Sequence, residues 1–295
     1  DIAAAKHSVD IAAFEIDLRS VADALIYAHK RGVTIRIVSD ADSYEETPVA
    51  KETRQQLEAA GVQVAMDTRS DFMHNKFIII DGLTVWTGSW NLTINCTFRN
   101  NNNTLRFQVP RLAENYQAHF EELIAGRMGS KAGKDVPNPS VTIHGAAIET
   151  YFSPDGNTAA ALESRLLHAR QSIKFMAFSF TADAQADLLV QKHNAGVAVQ
   201  GVFEARNATG TGSEYAKLKD AGMDVLQDGN CYTMHHKVYI IDDQTVVTGS
   251  YNFTASAEED NDENLLIIDD PSLAFYFNGE FNRVYEQART GACSN

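Results

Sequence analysis

Cysteine is scarce in this 295-residue chain. Cys96, Cys231 and Cys293 are an odd number at wide spacings with no Cys-x-x-Cys pair. That excludes a disulfide-stapled miniprotein and a zinc-ribbon or thioredoxin-like centre, and allows at most one disulfide within the chain. Long apolar runs are missing too, and none approaches the roughly 20 residues of a membrane helix. Basic residues are outnumbered, 25 Lys and Arg against 39 Asp and Glu, for a formal charge of −14. Bulk charge therefore cannot hold nucleic acid or an anionic membrane, and any phosphate site must be locally basic. The start, Asp1-Ile2-Ala3, has neither an initiator Met nor a signal-peptide pattern, which favours a processed protein, secreted or periplasmic. What the chain does have is 44% hydrophobic residues, enough to bury one large core or two of average size.

An internal repeat divides it. HNKFIIIDGLTVWTGSWNLT, from His74 to Thr93, returns as HHKVYIIDDQTVVTGSYNFT, from His235 to Thr254, at a constant spacing of 161. Upstream, Phe14 to Val33 matches Phe178 to Val197 at a spacing of 164. In each copy the apolar periodicity alternates between helix and strand. Val21 to Ala28 reads as a helix stopped by Gly32, Val33 to Val38 as a strand, and Lys51 to Ala60 as a helix closed by Gly61. Lys76 to Ile80 and Thr84 to Thr87 read as a hairpin turning at Asp81-Gly82, followed by a strand over Thr104 to Val109 and a helix over Leu112 to Ile124. The fold class is α/β: two mixed sheets flanked by helices. Gly126 to Ser140 has linker composition, which places a first domain at 1–130 and a second at 131–295. The second half also has a leading strand, Glu149 to Phe152, with no counterpart in the first.

His-x-Lys-x4-Asp followed by Gly-Ser-x-Asn, twice in register, resembles the signature of the phospholipase D superfamily. Chance matches to six fixed positions arise on the order of 10⁻⁸ per start site. The resemblance implies two similar domains about a pseudo-twofold axis with one shared active site, a covalent phosphohistidine intermediate, and neither metal nor cofactor. The residue types suit that chemistry: imidazole serves as nucleophile or proton donor near neutral pH, so His74 and His235 supply one of each. Lys76 and Lys237 follow by two residues, on the same strand face, and can set ammonium charges against a phosphate. Asn91 and Asn252 add amide donors. Twenty-eight residues after His235 stands Glu263, and twenty-eight after His74 stands Asn102. In the family this position is expected to hydrogen-bond the histidine of its own half. A carboxylate there raises an imidazole pKa, which assigns His235 as general acid and His74 as nucleophile.

Asp81 and Asp242 read as turn residues, His236 as packing, and Ser89 and Ser250 as orienting groups at the substrate. Asp260-x-Asp262-x-Asn264 lacks the glycine and closing Glu of a calcium loop. The segment after Gly-Ser-x-Asn resembles the endonuclease branch, whose members are homodimers of one copy, so this chain is expected as a fused, monomeric analogue acting on a phosphodiester. A groove of Arg99, Arg106, Arg206, Lys217 and Lys219, with Trp90 and Tyr251 as substrate-binding aromatics, favours nucleic acid. The alternative is a phospholipase D or phosphatidyltransferase acting on phospholipid head groups.

Overall fold

A computed structural model describes residues 1–133, 136–154 and 156–291, with the backbone alone for 44–46; Cys293 lies outside the described residues. Six strands, β1 (Ser8–Ala13), β2 (Thr34–Asp40), β3 (Gln63–Asp67), β4 (Lys76–Ile80), β5 (Thr84–Gly88) and β6 (Thr104–Gln108), form a sheet ordered β3-β2-β1-β4-β5-β6. Eight more, β7 (Ser140–Ile143), β8 (Ala146–Ser153), β9 (Ser172–Ala177), β10 (Ala198–Phe203), β11 (Asp224–Gln227), β12 (Lys237–Ile241), β13 (Thr245–Gly249) and β14 (Glu263–Asp269), form a second, ordered β11-β10-β9-β12-β13-β14-β8-β7. In both, three parallel strands meet an antiparallel hairpin, so the sheets are mixed. The pair β8–β7 continues the second sheet past β14, whereas β6 ends the first.

Alternation along the strands sets the layers. On β4, Ile78 and Ile80 face the helices Arg19–Lys30 and Pro48–Ala59, packing with Leu25, Ala28 and Leu57. Phe77 and Ile79 face the opposite way, onto Leu112, Tyr116, Phe120 and Leu123 of the helix Pro110–Ile124. That helix also meets Ile148, Phe152, Leu266 and Ile268 of the second sheet, so it lies between the sheets. The helix Pro271–Thr290 does the same from the other side, packing Phe277, Phe281 and Val284 on Val238, Ile240 and Val246. The order is helices, sheet, two central helices, sheet, helices.

Two details set up the site. The segment with linker composition is pinned at both ends: the Gly129 amide donates to Asp262 Oδ1 (2.9 Å), and the Asn138 amide donates to Asn115 Oδ1 (2.8 Å). The short helices Ile94–Phe98 and Ala255–Glu259 have too few residues to show periodicity in the sequence. Each is capped by the threonine of Gly-Ser-x-Asn-x-Thr, whose hydroxyl accepts from Cys96 N (3.1 Å) or Ala257 N (3.2 Å).

Gly88 and Gly249 end the central hairpins at positive φ, +155° and +157°, against the backbone of Asn103 and Asn264. A Cβ on Gly249 would stand 2.1 Å from Asn264 O. Gly249→Ala is therefore expected to cost ~2 kcal/mol or more, by overpacking at a strained φ. Gly279→Ala, on an exposed helix face with nothing within 4 Å, should be neutral or stabilising by up to ~1 kcal/mol. Urea midpoints of the two variants check the contrast.

Candidate active site

The two His-Lys segments enter β4 and β12 side by side across the pseudo-twofold axis. His74 and His235 are 8% and 7% exposed, Lys76 and Lys237 4% and 1%. Each lysine turns back to donate to the carbonyl of its own histidine, Lys76 Nζ to His74 O (2.7 Å) and Lys237 Nζ to His235 O (3.2 Å). Each also lies over an aromatic ring, Phe14 (5.3 Å) or Phe178 (4.5 Å), whose edge packs against the matching imidazole. These contacts hold an ammonium in place in a dry setting without consuming its charge.

The histidine loops are held by the opposite halves. His74 N donates to Asp262 O (3.0 Å) and Asp262 N to Phe72 O (2.9 Å); His235 N donates to Asn101 O (2.7 Å) and Asn101 N to Thr233 O (2.9 Å). This exchange carries Glu263 across the axis, where its Oε1 lies 2.7 Å from His74 Nδ1. The expectation that Glu263 serves His235 is thus corrected, and with it the argument that a carboxylate on His235 makes it the general acid, because the carboxylate stands on His74. Spacing along the chain does not show on which side of a twofold axis a loop lands. Asn102 likewise does not reach His74; its amide donates to Cys96 O (2.6 Å) and Asn100 O (3.4 Å). His235 Nδ1 instead bonds a main-chain carbonyl, Ser89 O (2.9 Å), and His74 has the equivalent carbonyl of Ser250 beside it.

Burial dominates the electrostatics. It lowers both imidazoles well below their ordinary value, with the two ammonium groups pushing the same way. Lys76 is lowered to about 8, chiefly by burial, and Lys237 well below the lysine range. Glu263, fully buried, is raised to about 8. Burial thus disfavours the charged form of both partners, the carboxyl of Glu263 and the imidazole of His74. An anion bound between Lys76 and Lys237 would favour the charged form of both.

Asn91 and Asn252 are half-buried at equivalent places, and each Oδ1 is buried without a hydrogen-bond partner. Asn91, His235 and Phe178 open onto a cleft of about 550 Å³, whose walls include Glu15, Asp17, Glu204 and Arg206. Ser89 and Ser250 are wholly buried, and their hydroxyls accept from the amides of Asn103 (3.1 Å) and Asn264 (3.0 Å), fixing the loops behind the histidines. Tyr251 is a core residue with its hydroxyl on Glu258 (3.0 Å), and Trp90 packs beside Ile78 with its indole N–H on Thr97 (3.0 Å). Neither aromatic lines the cleft.

The expected basic groove does not form. Arg206 alone of the five lines the cleft, and it is paired with Glu204 (2.5 Å). Lys217 pairs with Asp187 (2.8 Å) and Arg106 with Asp1 (2.5 Å), Lys219 donates to Val225 O (3.0 Å), and Arg99 stacks on Tyr232. Asp81 and Asp242, as read, are turn residues that accept amides from the starts of β1 and β9. His236 is buried, between Asn103 (3.0 Å) and Glu280 (3.0 Å). The pairs Phe14/Phe178, Asp40/Glu204 and Asn103/Asn264 went unassigned in the sequence. All three recur at the repeat spacings, and that recurrence was the available signal. Asp40 and Glu204 accept the amides of Met73 (3.0 Å) and Met234 (2.7 Å), one residue before each histidine.

Duplicated mixed sheets that meet at two His-Lys segments define the phospholipase D superfamily of phosphodiesterases. Within it, the chain belongs to the family described as cardiolipin synthase, PLD-like domain, whose profile matches residues 1–124 and 162–285. The chain is 28% identical to a mitochondrial cardiolipin hydrolase of Chlamydomonas reinhardtii over 54% of its own length and 82% of that protein's. It is 35% identical to the human mitochondrial cardiolipin hydrolase over 45% of its length. It spans only 53–59% of the length of the vertebrate relatives. A phosphatidylserine synthase of Haemophilus influenzae shares the fold over 97% of this chain and 82% of its own, with a TM-score of 0.74 at 11% identity.

Burying Lys76 costs stability. Its folded pKa of about 8 lies below the unfolded 10.5, so the penalty is full below pH 8 and vanishes as pH rises through 10.5. At ~1.4 kcal/mol per pKa unit, less the lost hydrogen bond to His74 O, Lys76→Met is expected to stabilise the fold by about 1–3 kcal/mol at pH 7. Calorimetry at pH 7 and pH 10 should show that advantage shrinking at the higher pH.

Proposed function

We propose that the protein hydrolyses a phospholipid phosphodiester through a phosphohistidine, with His74 as nucleophile and His235 as general acid and then base. The observation that carries the substrate class is the wall of the cleft beside His235. Glu15, Asp17 and Glu204 stand there against a single, already paired Arg206. A nucleic acid needs several phosphates neutralised along its track, whereas a phospholipid presents one diester, met by Lys76 and Lys237, and a head group. Acidic walls favour a neutral or cationic head-group alcohol. The names of the cardiolipin hydrolase relatives also support a phospholipid.

The nucleophile assignment rests on Glu263. When His74 Nε2 attacks phosphorus, the ring becomes a phosphoimidazolium, and the carboxylate 2.7 Å from Nδ1 neutralises it where no water can. His235 has only a neutral carbonyl partner, and binding of the phosphate anion between the lysines restores its affinity for a proton. It gives that proton to the leaving oxygen as the P–O bond breaks. It then takes one from the water that attacks the phosphohistidine, and cleavage of the N–P bond frees His74. Lys76 and Lys237 hold the non-bridging oxygens, with Asn91 and Asn252 as amide donors. Both histidines lie on one chain, so a monomer suffices.

Two experiments test this reading. With bis(p-nitrophenyl) phosphate, whose leaving group needs no protonation, His235→Ala should accumulate a phosphoryl adduct detectable by acid quench and mass spectrometry, and His74→Ala should form none. The reverse pattern overturns the assignment. Among the described residues no three His, Cys, Asp or Glu gather as metal ligands, so head-group release from phosphatidylcholine vesicles should persist in excess EDTA. Lys76→Ala or Lys237→Ala should lower it at least ~10²-fold. Cleavage of single-stranded DNA or RNA at comparable kcat/KM would overturn the substrate class.

A further inference from the structure

Behind Glu263 lies an ionic cluster of Arg69, Asp67 and Asp262, none of which lines the cleft beside His235. Asp262, wholly buried, takes the guanidinium of Arg69 on Oδ2 and the Gly129 amide (2.9 Å) on Oδ1. Arg69 is itself clamped to Asp67 (2.8 Å). The main chain of the same Asp262 exchanges hydrogen bonds with His74 and Phe72 (3.0 and 2.9 Å), and its peptide neighbour is Glu263. Four anchors from two segments, the loop 69–74 and Gly129, thus converge on one residue, and the next residue sets the carboxylate on His74.

The pseudo-equivalent place has the same backbone exchange, with an amide instead of the carboxylate. Asn101 stands where Asp262 does and Asn230 where Arg69 does, at the spacing of 161. Asn101 bonds Gln287 (2.8 Å) and Arg283 (3.0 Å), and Asn230 donates to Arg99 O (3.0 Å). The His235 loop is thus seated by the backbone exchange together with an asparagine held by Gln287 and Arg283, without an ion pair to that residue. The ion pair to this residue is on the side where a carboxylate is aimed at an imidazole.

We propose that Arg69, Asp262 and the backbone of Gly129 form a positioning latch that holds Glu263 against His74, acting on the nucleophile without touching substrate. This rests on the reading of His74 as nucleophile. The latch joins the first sheet, the inter-sheet segment and β14, and it has no slack: a Cβ on Gly129 would lie 2.3 Å from Arg69 Nη1. Shifting the guanidinium moves Asp262, and misplacing a reacting pair by about 1 Å costs ~10²-fold in rate. The charged groups facing Asp262 are Arg69 and Asp67, with Asp40 beyond Asp67.

The test is single-turnover phosphoenzyme formation from bis(p-nitrophenyl) phosphate across pH 5–9, with the adduct mapped by mass spectrometry. It compares the full chain with Arg69→Met, Gly129→Ala, the double variant Arg69→Met/Asp262→Asn, and Asn230→Ala at the equivalent place. Arg69→Met and Gly129→Ala should slow formation at least ~10-fold with KM within about 2-fold, and should shift the pH limb belonging to the Glu263–His74 pair. The neutral double variant, which copies the amide chemistry of the other half, should recover part of the rate, and Asn230→Ala should leave the limb unmoved. Gly129→Ala alters no charge, so it reports on position even if Arg69→Met folds poorly. A His74 adduct with an unmoved limb in both single variants overturns the latch alone. A wild-type adduct on His235 overturns the nucleophile assignment and the latch together.

Discussion

The pocket depends on a reciprocal exchange of main-chain hydrogen bonds across the pseudo-twofold axis. Each histidine loop is zipped to the loop that follows the glycine of the other half, through the short bridges Met73–Asp262 and Asn101–Met234. Backbone groups buried at a domain junction must be paired, and here their partners lie across the junction. Docking the two halves and building the pocket are consequently one event. The glycines at the ends of β5 and β13 belong to the same arrangement, because only a residue without a Cβ lets the crossing backbone come so near.

A second constraint is the cost of burying charge. Two ammonium groups, a carboxylate and two imidazoles lie almost entirely out of water, a grouping that a core selected for stability alone would replace with apolar residues. The fold tolerates it through rings stacked under the lysines, carbonyls turned towards them, and carboxylates such as Asp40 and Glu204 that fix the loops from behind. Low dielectric makes each remaining charge count for more at a transition state.

Much of this was legible in the sequence because it repeats. The helices after Phe14 and Thr47, the hairpin at Asp81-Gly82 and the His-Lys pairs follow from periodicity and from recurrence at fixed spacing. Other features were hidden for physical reasons. The partner of Glu263 depends on which side of an axis a loop falls, and spacing along the chain carries no such information. Tyr251 and Trp90 adjoin site residues in the chain, but the residue after an inward-facing one turns away, so they pack. The basic groove dissolved because each cation finds a carboxylate, a carbonyl or a ring of its own, pairings that composition cannot reveal.

The single carboxylate on His74 has a consequence for ancestry. In an assembly of two identical chains every residue occurs twice, so a glutamate at this position would stand behind both imidazoles or neither. Joining the copies end to end removes that obligation. Asn102 and Glu263 could then diverge at one repeat position, as could Asn101 and Asp262, and Asn230 and Arg69. Fusion thus does more than hold two halves together: it releases the two imidazoles from having to be alike.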